Sequence, residues 1–197
     1  MQTATRTLRV SSPYFIPGED GMAVIRGLRE RGVKVIVMTN SQASTDVVPV
    51  FAAYRVYREA LLREGVRLYE FLPTMAPATD WSGLSSDTTS LHAKNVVVDD
   101  THVFIGSVNL DARSFFHNTE MGVTLGSVAF GAEMADNWDA MLPRVAWRLS
   151  LGEDGRVRWH GTSPDGTERV LDEEPGTTLV QRWQARAMSW LPVAWLL

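Results

Sequence analysis

From Arg6 to about Leu142, short β-branched runs alternate with segments whose apolar positions recur every three or four residues. That alternation predicts a layered α/β fold. Residues 8–12 form the first predicted strand. Pro13 and Pro17 break the chain, and Asp20 is placed to cap a helix with Val24, Ile25 and Leu28 inward and Arg26, Arg29 and Glu30 outward, until Gly32 ends it. Residues 33–39 are almost unbroken apolar, as expected for a strand covered on both faces. Val50, Tyr54, Tyr57 and Leu61 make the apolar stripe of a second helix, which Gly65 stops before a third strand at 66–71. Residues 73–89 have no periodicity and read as a long loop of the kind that is often functional. Residues 91–98 and 102–105 predict two strands around a tight Asp99-Asp100 turn, followed by a strand at 120–125 and a helix at 128–141.

Beyond Pro143 the pattern changes. Turn-rich stretches at 152–155 and 163–167 frame a predicted hairpin, 156–160 with 168–171, appended to the core. The chain thus divides into a domain over residues 1–145 and an extension over 146–197. Six of seven tryptophans lie between Trp138 and Trp195. Thr177 or Thr178 is placed to cap a last helix with Leu179, Trp183, Ala187, Trp190 and Leu191 on one side and Arg182 and Arg186 near the other. Such a stripe is either core or a helix lying at a lipid interface, where Trp with flanking Arg suits the headgroup level.

Composition narrows the classes. The 19 Lys and Arg against 23 Asp and Glu give a net charge of −4, so no overall positive field recruits nucleic acid. The absence of cysteine excludes disulfide frameworks, thiol nucleophiles and Cys-based metal sites. No apolar run reaches the roughly 18 residues of a membrane span. Residues 1–10 lack the apolar region and cleavage pattern of a signal peptide, so no export signal is expected.

The chemistry concentrates in one stretch. His92 and Lys94 are two residues apart, and on a strand such neighbours point to the same face, which makes a cationic pair. Gly106, Ser107 and Asn109 close the next strand, where a glycine lets the backbone pass near a ligand. A phosphate needs a lysine for charge and Asn or Ser as donors, while a histidine titrating near neutrality can attack phosphorus or move a proton.

His92, Lys94, Asp99, Gly106-Ser107 and Asn109 match His-x-Lys-(x)4-Asp-(x)6-Gly-Ser-x-Asn at every spacing, and on that motif the chain is identified as a member of the phospholipase D superfamily. Residues 106–120 resemble bacterial cardiolipin synthases, and residues 12–18 resemble the strand-loop that opens the second half of those enzymes. Trp159 of the hairpin and Trp190-Leu191-Pro192 resemble the class that uses phosphatidylethanolamine as phosphatidyl donor. The resemblance implies an α/β/α sandwich with a mixed central sheet and a carboxyl-terminal hairpin-helix extension. It implies phosphatidyl transfer to cardiolipin from phosphatidylglycerol and a second phospholipid through a phosphohistidine, with no metal or other cofactor.

Role by role, His92 would exchange protons, Lys94 and Asn109 would hold the non-bridging oxygens, and Glu120 would orient the catalytic imidazole. Asp99 is assigned to positioning. Ser107, Asn118 and Arg113 are the candidate substrate contacts, although Ser107 would equally suit a turn cap and Arg113 a buried acid. Asp46, Asp80 and Asp87 read as loop residues, with a headgroup contact as the other reading. His102 and His117 read as turn or core-edge residues.

The family brings two His-x-Lys motifs into one site. This sequence has one, since His102, His117 and His160 lack a lysine two positions on. Either the chain pairs with itself or it is the second half of a longer enzyme. The expected partners are phospholipids, a membrane surface and a second motif-bearing half, with no nucleic acid. The expected location is peripheral, on the cytoplasmic face of a bacterial inner membrane. A homodimeric phosphodiesterase or nuclease, or a catalytically silent lipid-binding half, are the competing readings.

Overall fold

Two parallel crossovers build the middle of the sheet. Strand β1 (Thr7–Ser11) leads through α1 (Gly18–Glu30) to β2 (Lys34–Asn40), and α2 (Val48–Arg55) and α3 (Arg58–Arg63) lead on to β3 (Arg67–Phe71), with β1 pairing β2 and β2 pairing β3 in parallel. The computed structural model describes residues 1–71, 90–162 and 166–190. The long loop expected at 73–89, with Asp80 and Asp87, lies outside the described residues.

The remaining strands, all antiparallel, extend both edges. These are β4 (Asn95–Val98), β5 (His102–Gly106), β6 (Gly122–Gly126), β7 (Ala146–Leu151), β8 (Val157–Thr162) and β9 (Glu168–Leu171). The order across the single mixed sheet is β6-β5-β4-β1-β2-β3-β7-β8-β9. Helix α4 (Ala112–Phe116) joins β5 to β6, α5 (Val128–Val145) joins β6 to β7, and α6 (Leu179–Ser189) follows β9.

Period-two alternation divides β2 between two cores. Val35 and Val37 meet α1, α2 and α3, whereas Ile36 and Met38 meet Trp138, Leu142 and Val145 of α5. This is the α/β/α sandwich expected from the sequence. Leu28 and Leu61 are fully buried on the first face; cutting either to alanine would cost about 2–5 kcal/mol.

Several boundaries differ from the sequence reading, each for a local reason. Helix α1 starts at Gly18, so Asp20 does not cap it but lies in the first turn, where its charge favours the helix dipole. The stripe read as one helix is α2 and α3, separated at Val56 and Tyr57; it runs on across the break because both helices pack the same face. Helix α5 continues through Pro143 to Val145. It then passes directly into β7, which the reading missed because no turn residue separates them. Through β7, which pairs with β3, the predicted hairpin continues the central sheet rather than hanging from it.

The tryptophans divide. Trp138, Trp147 and Trp159 are core, while Trp183 and Trp190 on α6 are 65% and 86% exposed. Helix α6 carries a complete capping box, Thr178 with Gln181, and seats Ala185 in the core.

Candidate active site

The segment carrying His92 and Lys94 is held largely by side chains, with one backbone bond from the Gly106 amide to the Lys94 carbonyl at 3.1 Å. Buried Asn40, ending β2, accepts from the Leu91 amide at 2.9 Å and donates to the Leu91 carbonyl at 3.2 Å. Ser11, ending β1, donates to the Ala93 carbonyl at 3.2 Å. For this reason β4 begins at Asn95 and not at residue 91. Ser44 donates to Asn40 at 2.8 Å and fixes its amide. The reading of the sequence missed Asn40 and Ser11; the only signal was a polar residue closing each of two apolar strands.

His92 is exposed, and the Lys94 Nζ lies 3.5 Å from both of its ring nitrogens while donating to the His92 carbonyl at 2.9 Å. The two side chains do share one face. Partial burial lowers the Lys94 pKa, and the Glu120 and Asp46 carboxylates oppose that. Opposite them, Ser107 donates to Glu120, and Asn118 donates to the other carboxylate oxygen at 3.1 Å. These bonds, with the Lys94 charge, hold the Glu120 carboxyl below the usual carboxylate range. Glu120 is thus bonded to Ser107 and Asn118 and not to His92. Ser107 also accepts from the Met121 amide at 3.0 Å. Asn109 sits beside this loop, half-buried, and its side-chain oxygen is buried without a partner.

A second loop closes the rim. Ser12 accepts from the Leu110 amide at 3.0 Å, and Ile16 donates to the Leu110 carbonyl at 2.7 Å, which ties the loop after β5 to the loop after β1. Tyr14 donates to both oxygens of Asp46 at 3.0 Å. Burial and Asp46 push its phenol to about 12. Asp46, read as a loop residue, therefore stands close enough to Lys94 to act on its charge.

Not every motif residue converges. Asp99 is at the far end of β4, where Asp99 and Asp100 both have positive φ, 53° and 57°. Its carboxylate accepts from the amides of Thr5, Arg6 and Thr7 at 2.9, 2.7 and 2.9 Å and from the Thr5 hydroxyl at 2.8 Å. Those bonds outweigh desolvation and lower its pKa to about 2. Gly106 also serves the fold: a Cβ there would lie 2.6 Å from the Met121 carbonyl and 2.7 Å from the Phe104 ring. The close approach is thus to β6, not to a ligand. Arg113 is exposed on α4 and pairs with no buried acid among the described residues. His102 and His117 are exposed, and His160 bonds Ser150 at 2.7 Å. Among the described residues no three His, Asp or Glu side chains are grouped to hold a metal ion.

A mixed sheet between helical layers, with His-x-Lys at the end of the central strands and Ser, Asn and Glu across from it, defines the phospholipase D-like class. Residues 1–142 match the family model described as the cardiolipin synthase, PLD-like domain. The chain is 36% identical over its whole length to cardiolipin synthase C of Escherichia coli, of which it covers 42%, and 31% identical over 85% of its length to cardiolipin synthase A of Yersinia pseudotuberculosis, of which it covers 30%. Among solved structures it resembles Nuc, a phospholipase D family member from Salmonella typhimurium, with TM-score 0.56, 17% identity, 76% of this chain and 85% of that one. It also resembles the phosphatidylserine synthase of Haemophilus influenzae, with TM-score 0.55, 17% identity, 74% of this chain and 34% of that one. The chain belongs to the cardiolipin synthase branch of the phospholipase D-like family, and it spans less than half the length of these curated synthases.

Proposed function

We propose that the chain supplies one half of a two-motif site that makes cardiolipin by phosphatidyl transfer from one phospholipid to phosphatidylglycerol. The supporting observation is that Lys94 stands 3.5 Å from both ring nitrogens of an exposed His92, in a chain similar over its full length to a cardiolipin synthase. In the first step, the histidine of the second half attacks phosphorus and forms an N–P bond. The P–O bond to the leaving alcohol breaks, and His92 gives that oxygen its proton. In the second step His92 takes the proton of the phosphatidylglycerol hydroxyl, which attacks phosphorus and releases the first histidine. Lys94 offsets the charge growing on the non-bridging oxygens, and Asn109 donates a hydrogen bond to them. Ser107, Asn118 and Arg113 are the substrate contacts, and Glu120 sets the loop that presents them.

The second half, whether another copy or another segment, would meet the edge beside the site. There β6 is exposed throughout, and Met121, Val123, Leu125, Ile105 and Phe116 form an apolar strip of 44–79% exposure. No described helix is long and apolar enough to cross a membrane. In this reading the chain works peripherally at the cytoplasmic face of a bacterial inner membrane, with residues 146–197 extending the catalytic domain over 1–145.

Light scattering of the purified chain establishes whether it dimerises. A dimer is then mixed with phosphatidylglycerol and phosphatidylethanolamine vesicles, and a monomer is assayed after addition of a second motif-bearing half. Cardiolipin must form, and His92→Ala and Lys94→Ala must each abolish it. Activity retained in either variant overturns the assignment. Metal-independent cleavage of a bis-aryl phosphodiester without lipid transfer would favour the nuclease reading. Vesicle binding that leaves both substrates unchanged would favour the silent one.

A further inference from the structure

On the face of the sheet covered by α1, α2 and α3, a cavity of about 470 Å³ that shares no lining residue with the His92 site opens between α2, α3, β8 and α6. Its floor is a buried ionic network. Arg58, 3% exposed, donates to Glu70 and to Glu174 at 2.7 Å each, and Glu70 also accepts from Tyr54 and Trp159. The acids on the wall are already committed: Glu59 to Arg63, Asp172 to Arg158, Glu173 to Arg182 and Glu174 to Arg58 and Arg55. Among the described residues, the buried polar atoms on this wall that lack a hydrogen bond are donors, the Arg58 Nη2 and the Arg55 Nε, the latter only 3.7 Å from Glu174 in a long ion pair. Arg186 lines the same cavity and makes no ion pair among the described residues. Burial depresses the Arg55 pKa, and the neighbouring charges of Arg58 and Arg186 add to this against Glu174. Unfilled donors and crowded guanidinium groups describe a place for an anion, and forked guanidiniums match a phosphate.

Helix α6 indicates where that phosphate comes from. At about 100° per residue, Arg182 and Arg186 lie on a stripe directly beside Leu179, Trp183 and Trp190. The last three are 64%, 65% and 86% exposed. A helix with buried Ala185 on one side, arginines next to it and exposed Trp and Leu beyond has the cross-section of an interfacial helix, with its basic stripe at headgroup depth.

We propose that Arg55, Arg58 and Arg186 bind the headgroup phosphate of an anionic phospholipid while Leu179, Trp183 and Trp190 enter the bilayer surface. This site shares no residue with the His92 site and does not depend on the transferase reading.

Flotation of the 197-residue chain with phosphatidylcholine vesicles, with and without phosphatidylglycerol, tests it. Binding should require phosphatidylglycerol and fall about fivefold in Arg186→Gln and in Arg55→Gln. Trp183→Ser should weaken it as well. Arg186 is exposed, so its variant stays folded even where the Arg55 variant does not. Undiminished binding by Arg186→Gln, or equal binding to phosphatidylcholine alone, overturns the proposal. A calorimetric titration with inorganic phosphate forms the second arm. Phosphate binding lost in Arg186→Gln, together with indifference to vesicles, would overturn the lipid source and assign the site to a soluble phosphate.

Discussion

Two clusters of opposite charges in this chain use the same chemistry to opposite ends. At Arg58, both partners Glu70 and Glu174 are buried, three aromatic rings (Phe51, Tyr54 and Trp159) lie within 4.8–5.4 Å of the guanidinium, and Glu70 is bonded by three donors. Burial disfavours the Arg58 charge, but Glu70, Tyr54 and Glu174 together outweigh it and raise the pKa. At His92, Lys94 and Glu120, the groups face solvent and no salt bridge links the lysine to the acid. The first cluster has counter-charges built in that hold the fold together, and it leaves only the Arg58 Nη2 free to donate into the cavity beside it. The second has a cation and donors with room between them, which is what an incoming phosphate diester requires.

The comparison can be broken from either side, beginning with the largest effect. His92→Ala should reduce phosphatidyl transfer by about 10²- to 10⁴-fold while the urea midpoint stays where it is, since the side chain is exposed and unburdened by packing. A shifted midpoint would make His92 structural. Glu70→Ala should do the reverse, destabilising the fold by about 3–5 kcal/mol because it leaves Arg58 charged and buried with only Glu174. Equal stability of that variant in urea would remove the distinction between the clusters.

Asn40→Ala tests the join between fold and site. It strands both backbone groups of Leu91, so a loss of about 1–3 kcal/mol in denaturant should accompany slower transfer, with His92 itself untouched. Asp99→Asn should cost about 2 kcal/mol at neutral pH. Asp99 has a depressed folded-state pKa, so its contribution is complete above 3.8 and fades as pH falls through about 2. The gap between wild type and variant in urea should therefore close over that range, and a gap independent of pH would exclude the carboxylate as its source. The smallest stability effect belongs to Phe116→Ser, within about 0.5 kcal/mol for a side chain 78% exposed. Its readout is association with the second half, by light scattering or co-elution, which should weaken.

Much of this was legible in the residues. The order of strands and helices through α5, except the short α4 and the division of α2 from α3, followed from apolar periodicity, and the Asp99-Asp100 turn was readable because Asp tolerates positive φ. The types and spacing of His92, Lys94, Ser107 and Asn109 marked the stretch in which the phosphate site is proposed. Strand β7 was legible in principle, since Trp147 and Leu149 alternate with Arg148 and Ser150, but a helix ran into it without a break.

The sequence by itself determined the local periods, the turn chemistry and the single His-x-Lys motif, because each depends on neighbours a few residues apart. Tertiary structure alone decided what those residues meet. Asn40 reaches Leu91 across 51 positions, and Arg58 reaches Glu174 across 116. It also decided that the α6 tryptophans face outward while Trp159 is buried over Arg58, although all occur in one tryptophan-rich stretch. Helical spacing places residues on a common side, but burial of that side depends on which distant surface the helix packs against. Here the small side chain of Ala185 allows close packing, and the large ones are left outside.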